Sequence, residues 1–438
     1  MSRITSPAAE PLKVVDLFCG AGGLSEGFRR EGYVVLGGSD YDPDAMATYA
    51  VNFPDAVAIT GDIREGDIRA QVVELAKDAD IVVGGPPCQA FSQVRNHSRL
   101  IDDPRNSLYR EFVRVVAEAQ PRAFVMENVP GLAQMGVKEQ VLDDLGCDGR
   151  YKVAAHLLDA ADFGVPQTRK RLVFVGVHSD LLVDPPTVTG SGASASITLL
   201  REAPASGAYR LGLRNDDAAQ SLLDKLCDPS DLTVVSAQQA IGDLEQLQAG
   251  RREDTLGTAL LPPAGSAFQR LMRRGSRRTL ANVSVPRLNR DTELRLGGVP
   301  PGGNFRDLSH DLRRRYITGR RWGPAAGEEL ARQHYYAYRR LHPELWAWTL
   351  NTKADAAYHY SAARALSVRE FARLQSFPDR FVIVTDARRG DIPGRMKNGA
   401  AHSRYRQVGN AVPPLLAAAV ARAVGDVLAA VPAVRSVA

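Results

Sequence analysis

The stretch "LKVVDLFCGAGGLSEGFRREGY", Leu12 to Tyr33, constrains the fold more than any other part of the chain. An apolar run from Val14 to Phe18 breaks at Gly20, Gly22 and Gly23, and a helical pattern follows from Leu24 to Arg30. Strand, glycine-rich turn and helix in that order open a doubly wound α/β fold, where ligands sit outside the carboxyl ends of the strands. The pattern recurs. "VVLGGSDYDPDAMATYAVNFP" predicts a strand ending near Ser39 and a helix from about Pro43 to Asn52, with Pro43 suited to a first helical turn. "ADIVVGGPPCQ", "RAFVMENVPG" and "KRLVFVGVHS" read as further strands. Short apolar strands alternating with helices predict a mostly parallel sheet covered on both faces.

At 438 residues the chain is too long for one small core, so two domains, or one domain with a large insertion, are expected. The alternation fades between about Asp180 and Tyr360, where Ser, Gly and Pro cluster ("PPTVTGSGASAS", "GGVPPGGN"). Fourteen arginines against four acids lie between Gly265 and Gly323, a pattern suited to phosphate contact. Regular patterning returns in the amphipathic "SVREFARLQSF" and in a long last helix that opens on Pro413 and Pro414. The cysteines 19, 88, 147 and 227 form no C-x-x-C pair, so neither a metal site nor a disulfide framework is expected. The absence of an apolar leader or a long apolar run points to a cytoplasmic protein with no membrane segment.

Several residues fall where chemistry is expected. The glycine turn by itself suits NAD, FAD or S-adenosylmethionine. Asp40, at a strand end, is placed to accept from ribose hydroxyls, and Asp62 in "AITGDIRE" from an adenine amine. Cys88 follows two prolines at another strand end, the rim of such a cleft rather than a core. Glu127 ends the next strand. Arg169 and Arg171, two residues apart before or within a strand, would point to the same side at a period of two.

These motifs together resemble the DNA (cytosine-5)-methyltransferases of bacterial type. The matching segments, in the family's order, are "DLFCGAGGLSEGF", "SDYDPDAMATY", "GDIRE", "GGPPCQAFS", "DDPRNSLYREFVRVV", "FVMENVP", "DFGVPQTRKRLVFVGV", "RALSVREFARLQSFPD" and "QVGNAVPPLLAAAV", from about Lys13 to Val424. The resemblance implies a Rossmann-like, S-adenosylmethionine-dependent α/β domain at 12–180 and 361–430, its C-terminal helix packed back on it, and a smaller, irregular target-recognition domain at 181–360. It implies that Cys88 attacks C6 of a cytosine flipped out of duplex DNA. Glu127 would bind N3 and the exocyclic amine, and Arg171 the base O2. Arg169 would support the thiolate region and the DNA backbone, and the Pro86 carbonyl would contact the amine, with Gln89 and Ser92 near the base. The cofactor would meet Phe18, Gly20, Gly23, Asp40, Asp62, Ile63, Gly85, Pro87, Asn410 and Val412. The family usually has Glu where this chain has Asp40, which shortens the ribose contact by one methylene.

Arg273, Arg274, Arg277, Arg278, Arg313, Arg314, Arg315, Arg320 and Arg321 are the candidate DNA contacts. The polar run from Gln89 to about Asn106 is expected to close over the flipped base. A monomer in the bacterial cytoplasm, associated with the nucleoid and encoded near a cognate restriction endonuclease or defence system, fits this reading. The rivals are a tRNA cytosine-5 methyltransferase, a non-catalytic DNA-binding relative and a nicotinamide oxidoreductase. The last of these leaves "PPCQ" and "ENV" without a task.

Overall fold

The computed structural model of the chain describes residues 10–87, 107–134, 138–195, 221, 224–226, 228–312, 338–386 and 400–431. It divides into two compact units. One comprises Met1–Leu157, Arg171–Val188 and Ala417–Ala438, the other Leu158–Lys170 and Thr189–Leu416. This division groups 361–416 with the irregular region, along lines other than the expected 12–180 and 361–430.

The first unit is built as the apolar runs require. β1 (Lys13–Leu17), β2 (Val34–Asp40), β3 (Val57–Thr60) and β4 (Ile81–Gly84) alternate with α1 (Gly23–Arg30), α2 (Pro43–Asn52) and α3 (Gly66–Lys77). Next come α4 (Ser107–Ala119), β5 (Ala123–Asn128), α5 (Lys138–Gly146), β6 (Tyr151–Asp159) and β7 (Lys170–His178). The sheet runs β3-β2-β1-β4-β5-β7-β6. β1 through β5 pair in parallel, and β7 runs antiparallel to β5. The chain order reverses between β1 and β4, and such a switch point is where an open α/β sheet leaves a crevice. Leu17, Val82, Phe112, Val115, Phe124 and Phe174 form the core between the sheet and α3 and α4. The C-terminal segment docks on this unit: the Tyr33 hydroxyl donates to the Ala421 carbonyl (2.8 Å), and Arg122 donates to that of Leu428 (3.2 Å). Among the described residues, Ser403–Ala429 is long and apolar enough to cross a membrane, but 61% of its most apolar 18-residue window is buried in the protein.

Asp16, an acid in the middle of β1, is fully buried. The N-terminus of α1 has no side-chain cap of its own. Asp16 supplies the acceptor from the neighbouring strand: its Oδ2 receives the Ser25 backbone N–H (3.1 Å) and hydroxyl (2.7 Å). The Ser25 hydroxyl also meets that of the buried Tyr49 at 3.1 Å. Asp16 Oδ1 is buried without a partner. Burial therefore outweighs the two hydrogen bonds and lifts the carboxyl to about 7, with the nearby Asp40 adding to the rise.

The second unit is held by buried guanidiniums. Arg364 makes a two-pronged contact with Glu370 (2.9 and 2.7 Å), and Glu370 also closes a capping box with Ser367 at the start of the helix Val368–Leu374. Burial alone would raise the Glu370 pKa; the Arg364 guanidinium reverses this and holds it below the usual carboxylate range. Arg373 bridges Asp379 (2.8 and 2.7 Å) and Asp243 (2.5 Å). Arg369 donates to the carbonyls of Ala281, Pro378 and Phe381. Near the glycine-rich "GGVPPGGN", the buried Arg340 donates to the carbonyls of Leu296, Val299, His359 and Tyr360. A two-stranded ladder of β8 (Thr255–Gly257) and β9 (Thr279–Ala281) lies in the same unit.

Two stability measurements follow. Arg373→Met removes the two-pronged partner of the buried Asp379 and one of the two arginines on the buried Asp243, and is expected to cost about 3–5 kcal/mol in denaturant unfolding. Arg422→Met, which removes an exposed partner of Glu31, is expected to cost less than about 1 kcal/mol. Equal losses would refute the importance of the buried pair. Asp16 sets a pH dependence of opposite sign to that of most carboxylates. The unfolded chain loses this proton near 3.8, whereas the folded chain keeps it to about 7. Stability from this group thus falls as pH rises across that window, by at most about 4 kcal/mol. Asp16→Asn is expected to shrink the drop in Tm between pH 5 and pH 8, and an unchanged drop would show that Asp16 is ionised in the fold.

Candidate active site

The turn after β1 is built from left-handed backbone. Phe18 has φ +55°, Gly20 +52° and Gly22 +94°. A side chain at Gly22 would lie 2.5 Å from the Phe53 ring, so that glycine serves packing. Gly20 differs: a Cβ there would meet nothing within 4 Å, so its backbone faces open space that a ligand can approach. Beside it, at the end of β2, Asp40 accepts from the Gly20 N–H (Oδ2, 2.9 Å) and the Asp42 N–H (Oδ1, 2.9 Å). Burial nonetheless raises the Asp40 pKa. Asp62, past the end of β3, is held by Arg64 (2.9 and 3.1 Å to Nε) and thereby lowered in pKa, while Ile63 next to it is buried. An open backbone face, two carboxylates on successive strand ends and a buried apolar neighbour fit an adenosine-bearing ligand.

Gly85, Pro86 and Pro87 continue from β4 on the same rim. A Cβ at Gly85 would lie 3.0 Å from Glu127 Oε2, so the glycine leaves room for that carboxylate. Glu127 is the last residue but one of β5 and Arg171 the second of β7, and the antiparallel register sets Glu127 opposite Val173. Arg171 Nε lies 2.5 Å from Glu127 Oε1, with side-chain exposures of 11% and 13%. The resemblance puts both at the base; the reversed direction of β7 sets the two side chains against each other. The next residue, Asn128, is buried and donates to the Pro86 carbonyl (3.3 Å). Asn128 and Asp16 were both missed by motif reading. The available signals were an acid inside an apolar strand and a polar amide beside the catalytic candidate.

Arg169 stands apart from Arg171. It precedes β7, so strand alternation does not govern it. Its guanidinium is 2% exposed, and Nη1 and Nη2 donate to the carbonyls of Leu350 (3.1 Å) and Gly409 (2.7 Å) within the second unit. Its backbone N–H donates to the Asp159 carboxylate (2.9 Å). Asn410 and Val412 belong to the second unit, the former exposed and the latter buried. Of the arginine candidates, Arg273 braces the buried Asp243 and also donates to the Pro262 carbonyl (2.9 Å). Arg274, Arg277 and Arg278 are exposed. Cys88, Gln89, Ser92, the run to Asn106, and Arg313, Arg314, Arg315, Arg320 and Arg321 lie outside the described residues.

The family model for C-5 cytosine-specific DNA methylases matches residues 12–220 and 288–426. The Type II methyltransferase M.AgeI of Thalassovita gelatinovora is 32% identical over 94% of this chain and 99% of its own length. M1.HphI of Haemophilus parahaemolyticus is 32% identical over 94% of this chain and 86% of its own. A solved structure of a DNA modification methyltransferase encoded within an E. coli prophage shares the fold, with a TM-score of 0.63 at 23% identity over 95% of this chain and 99% of that one. With most of its length matched by the family model and near-full-length relatives at this identity, the chain belongs to the C-5 cytosine-specific DNA methylases.

Proposed function

We propose that the chain methylates C5 of a cytosine flipped out of a specific double-stranded DNA sequence, with Cys88 as nucleophile and S-adenosylmethionine as donor. The observation that carries this reading is the Glu127–Arg171 pair, on the same rim as the Gly85–Pro87 segment that leads into Cys88. The Cys88 thiolate adds to C6, forming an S–C6 bond and pushing electron density onto C5. Glu127 hydrogen-bonds N3 and the amine, and Arg171 holds O2, so fixed charges meet the charge that develops on the ring. The bound donor supplies a methyl group on a sulfonium, and its transfer to C5 leaves a neutral thioether. Loss of the C5 proton to water returns an electron pair to the ring, restores C5=C6 and expels the thiolate. The open face at Gly20, with Phe18 and Gly23, accepts the donor; Asp40 takes its ribose, and Asp62 and Ile63 its adenine. Gly85 and Pro87 are further donor contacts, as are Asn410 and Val412 on the resemblance alone. Gln89 and Ser92 serve the base.

The domain assignment of 12–180 with 361–430 as catalytic and 181–360 as target-recognising belongs to this reading. So do a monomeric state, a cytoplasmic location at the nucleoid, and a cognate endonuclease or defence system encoded nearby, which the Type II relatives favour. Arg169 acts on this view through main-chain carbonyls rather than on DNA, and Arg273 through Asp243. Arg274, Arg277 and Arg278 remain as described candidates for phosphate contact.

Transfer of a tritiated methyl group to duplex DNA, with tRNA in parallel, tests the substrate, and bisulfite sequencing of the product DNA gives the target site. Cys88→Ala is expected to abolish transfer and covalent trapping by duplexes carrying 5-fluorocytosine; Glu127→Gln is expected to slow transfer by about 10²–10⁴-fold. Transfer confined to tRNA, or trapping that survives Cys88→Ala, would sink the assignment. Replacing Arg274, Arg277 and Arg278 together by Ala is expected to weaken duplex binding and to flatten its log–log salt dependence by about 0.9 per lost phosphate contact. An unchanged slope would remove these residues from the DNA surface.

A further inference from the structure

Asn128, on the described rim, is a polar side chain that the reaction above does not use. Asn128 is buried, and both ends of its amide are committed. Its Oδ1 accepts the Val129 backbone N–H at 2.8 Å, and its Nδ2 donates to the Pro86 carbonyl at 3.3 Å. These partners fix the orientation of the amide, because a backbone N–H can only donate and a carbonyl can only accept. A flipped amide would lose both bonds.

Pro86 is a residue whose carbonyl needs such a partner. The ring fixes its φ, and Pro87 after it has no N–H. One soft torsion, ψ of Pro86, therefore sets the direction of the carbonyl. β4 has ended at Gly84, so the sheet ladder no longer holds the segment. Asn128 takes over that task from the adjoining strand end. It is also the residue after Glu127, so a single strand end delivers the Glu127 carboxylate and the direction of the Pro86 carbonyl together.

We propose that Asn128 is a specificity-determining positioning residue that aims the Pro86 carbonyl and so lets the site distinguish cytosine from uracil. The inference rests on the reading of Pro86 and Glu127 as acceptors for the exocyclic amine. Cytosine presents an N–H donor at C4, and uracil presents an oxygen. An acceptor held in place welcomes the first and opposes the second, because two acceptors then face each other with neither satisfied. An acceptor free to turn away tolerates both. Asn128 touches no reacting atom in this scheme and acts through Pro86.

The test uses the full-length protein and duplexes of its own target sequence with cytosine or uracil at the methylated position. Tritium transfer gives kcat/KM for each, and their ratio is the readout. Asn128→Leu keeps the volume and removes both bonds. Asn128→Asp keeps the shape and the acceptor for Val129 but removes the donor to Pro86. Each is expected to lower the cytosine-to-uracil ratio about tenfold. A merely structural role would slow both substrates in parallel and leave the ratio unchanged, and that result in either folded variant would overturn the proposal. Should Asn128→Leu fail to fold, Asn128→Asp decides alone. A wild-type ratio near one would instead overturn the reading of the amine acceptors, and the inference with it.

Discussion

The parallel pairing of β1 with β4 and of β4 with β5 is the constraint on which the site depends. It puts three carboxyl ends on one rim, with the glycine turn, the Gly85–Pro87 segment and Glu127 following in register. None of these groups is near another in sequence. Their proximity costs no special interaction, because the apolar runs that form the core also set the register. β7 then enters antiparallel and brings Arg171 to the same rim from its N-terminal end. A parallel β7 would have delivered Arg171 to the opposite edge and left Glu127 without its cation.

The turn after β1 shows how a polar site is supported from below. Phe18, Gly20 and Gly22 all sit at positive φ, so the turn needs attachments. Asp16 anchors the helix side through Ser25, and Asp40 anchors the strand side through the Gly20 N–H. Both carboxyls are lifted in pKa by burial. The two acids are not equivalent. Asp16 is sealed in the core, with one oxygen unpartnered, whereas Asp40 is half-buried and keeps an outward face. That difference separates a purely supporting acid from the one proposed to meet the donor's ribose.

In the second unit several of the described arginines work as buried donors. Arg340, Arg364, Arg369 and Arg373 together tie carbonyls and carboxylates from segments far apart in sequence. A planar fork with five donors suits a region poor in regular structure, where many carbonyls lack a ladder partner. The arginine count of such a region is therefore a weak guide to its outer surface. Arg273 and Arg274 are neighbours in one charge run, yet one braces Asp243 and the other faces solvent.

Much of the α/β unit was legible because apolar period, glycine and proline act locally. β1, α2 and the helix at Val368 fall within one to three residues of the patterns that predict them. The strand-end positions of Asp40 and Glu127 were legible for the same reason. What escaped depends on the direction of a strand or on a partner remote in sequence. Arg169 and Arg171 look alike in "QTRKR", but β7 begins between them. The first thereby belongs to a connecting segment and turns inward to carbonyls, and the second lies in a strand beside Glu127. Asn128 was hidden differently. Its neighbour Glu127 explains the motif without it, and only the Pro86 carbonyl, 42 residues earlier, gives the amide a purpose. A motif residue with no direct part in the chemistry is thus best read by asking which reactive neighbour would lose its direction if that residue were removed.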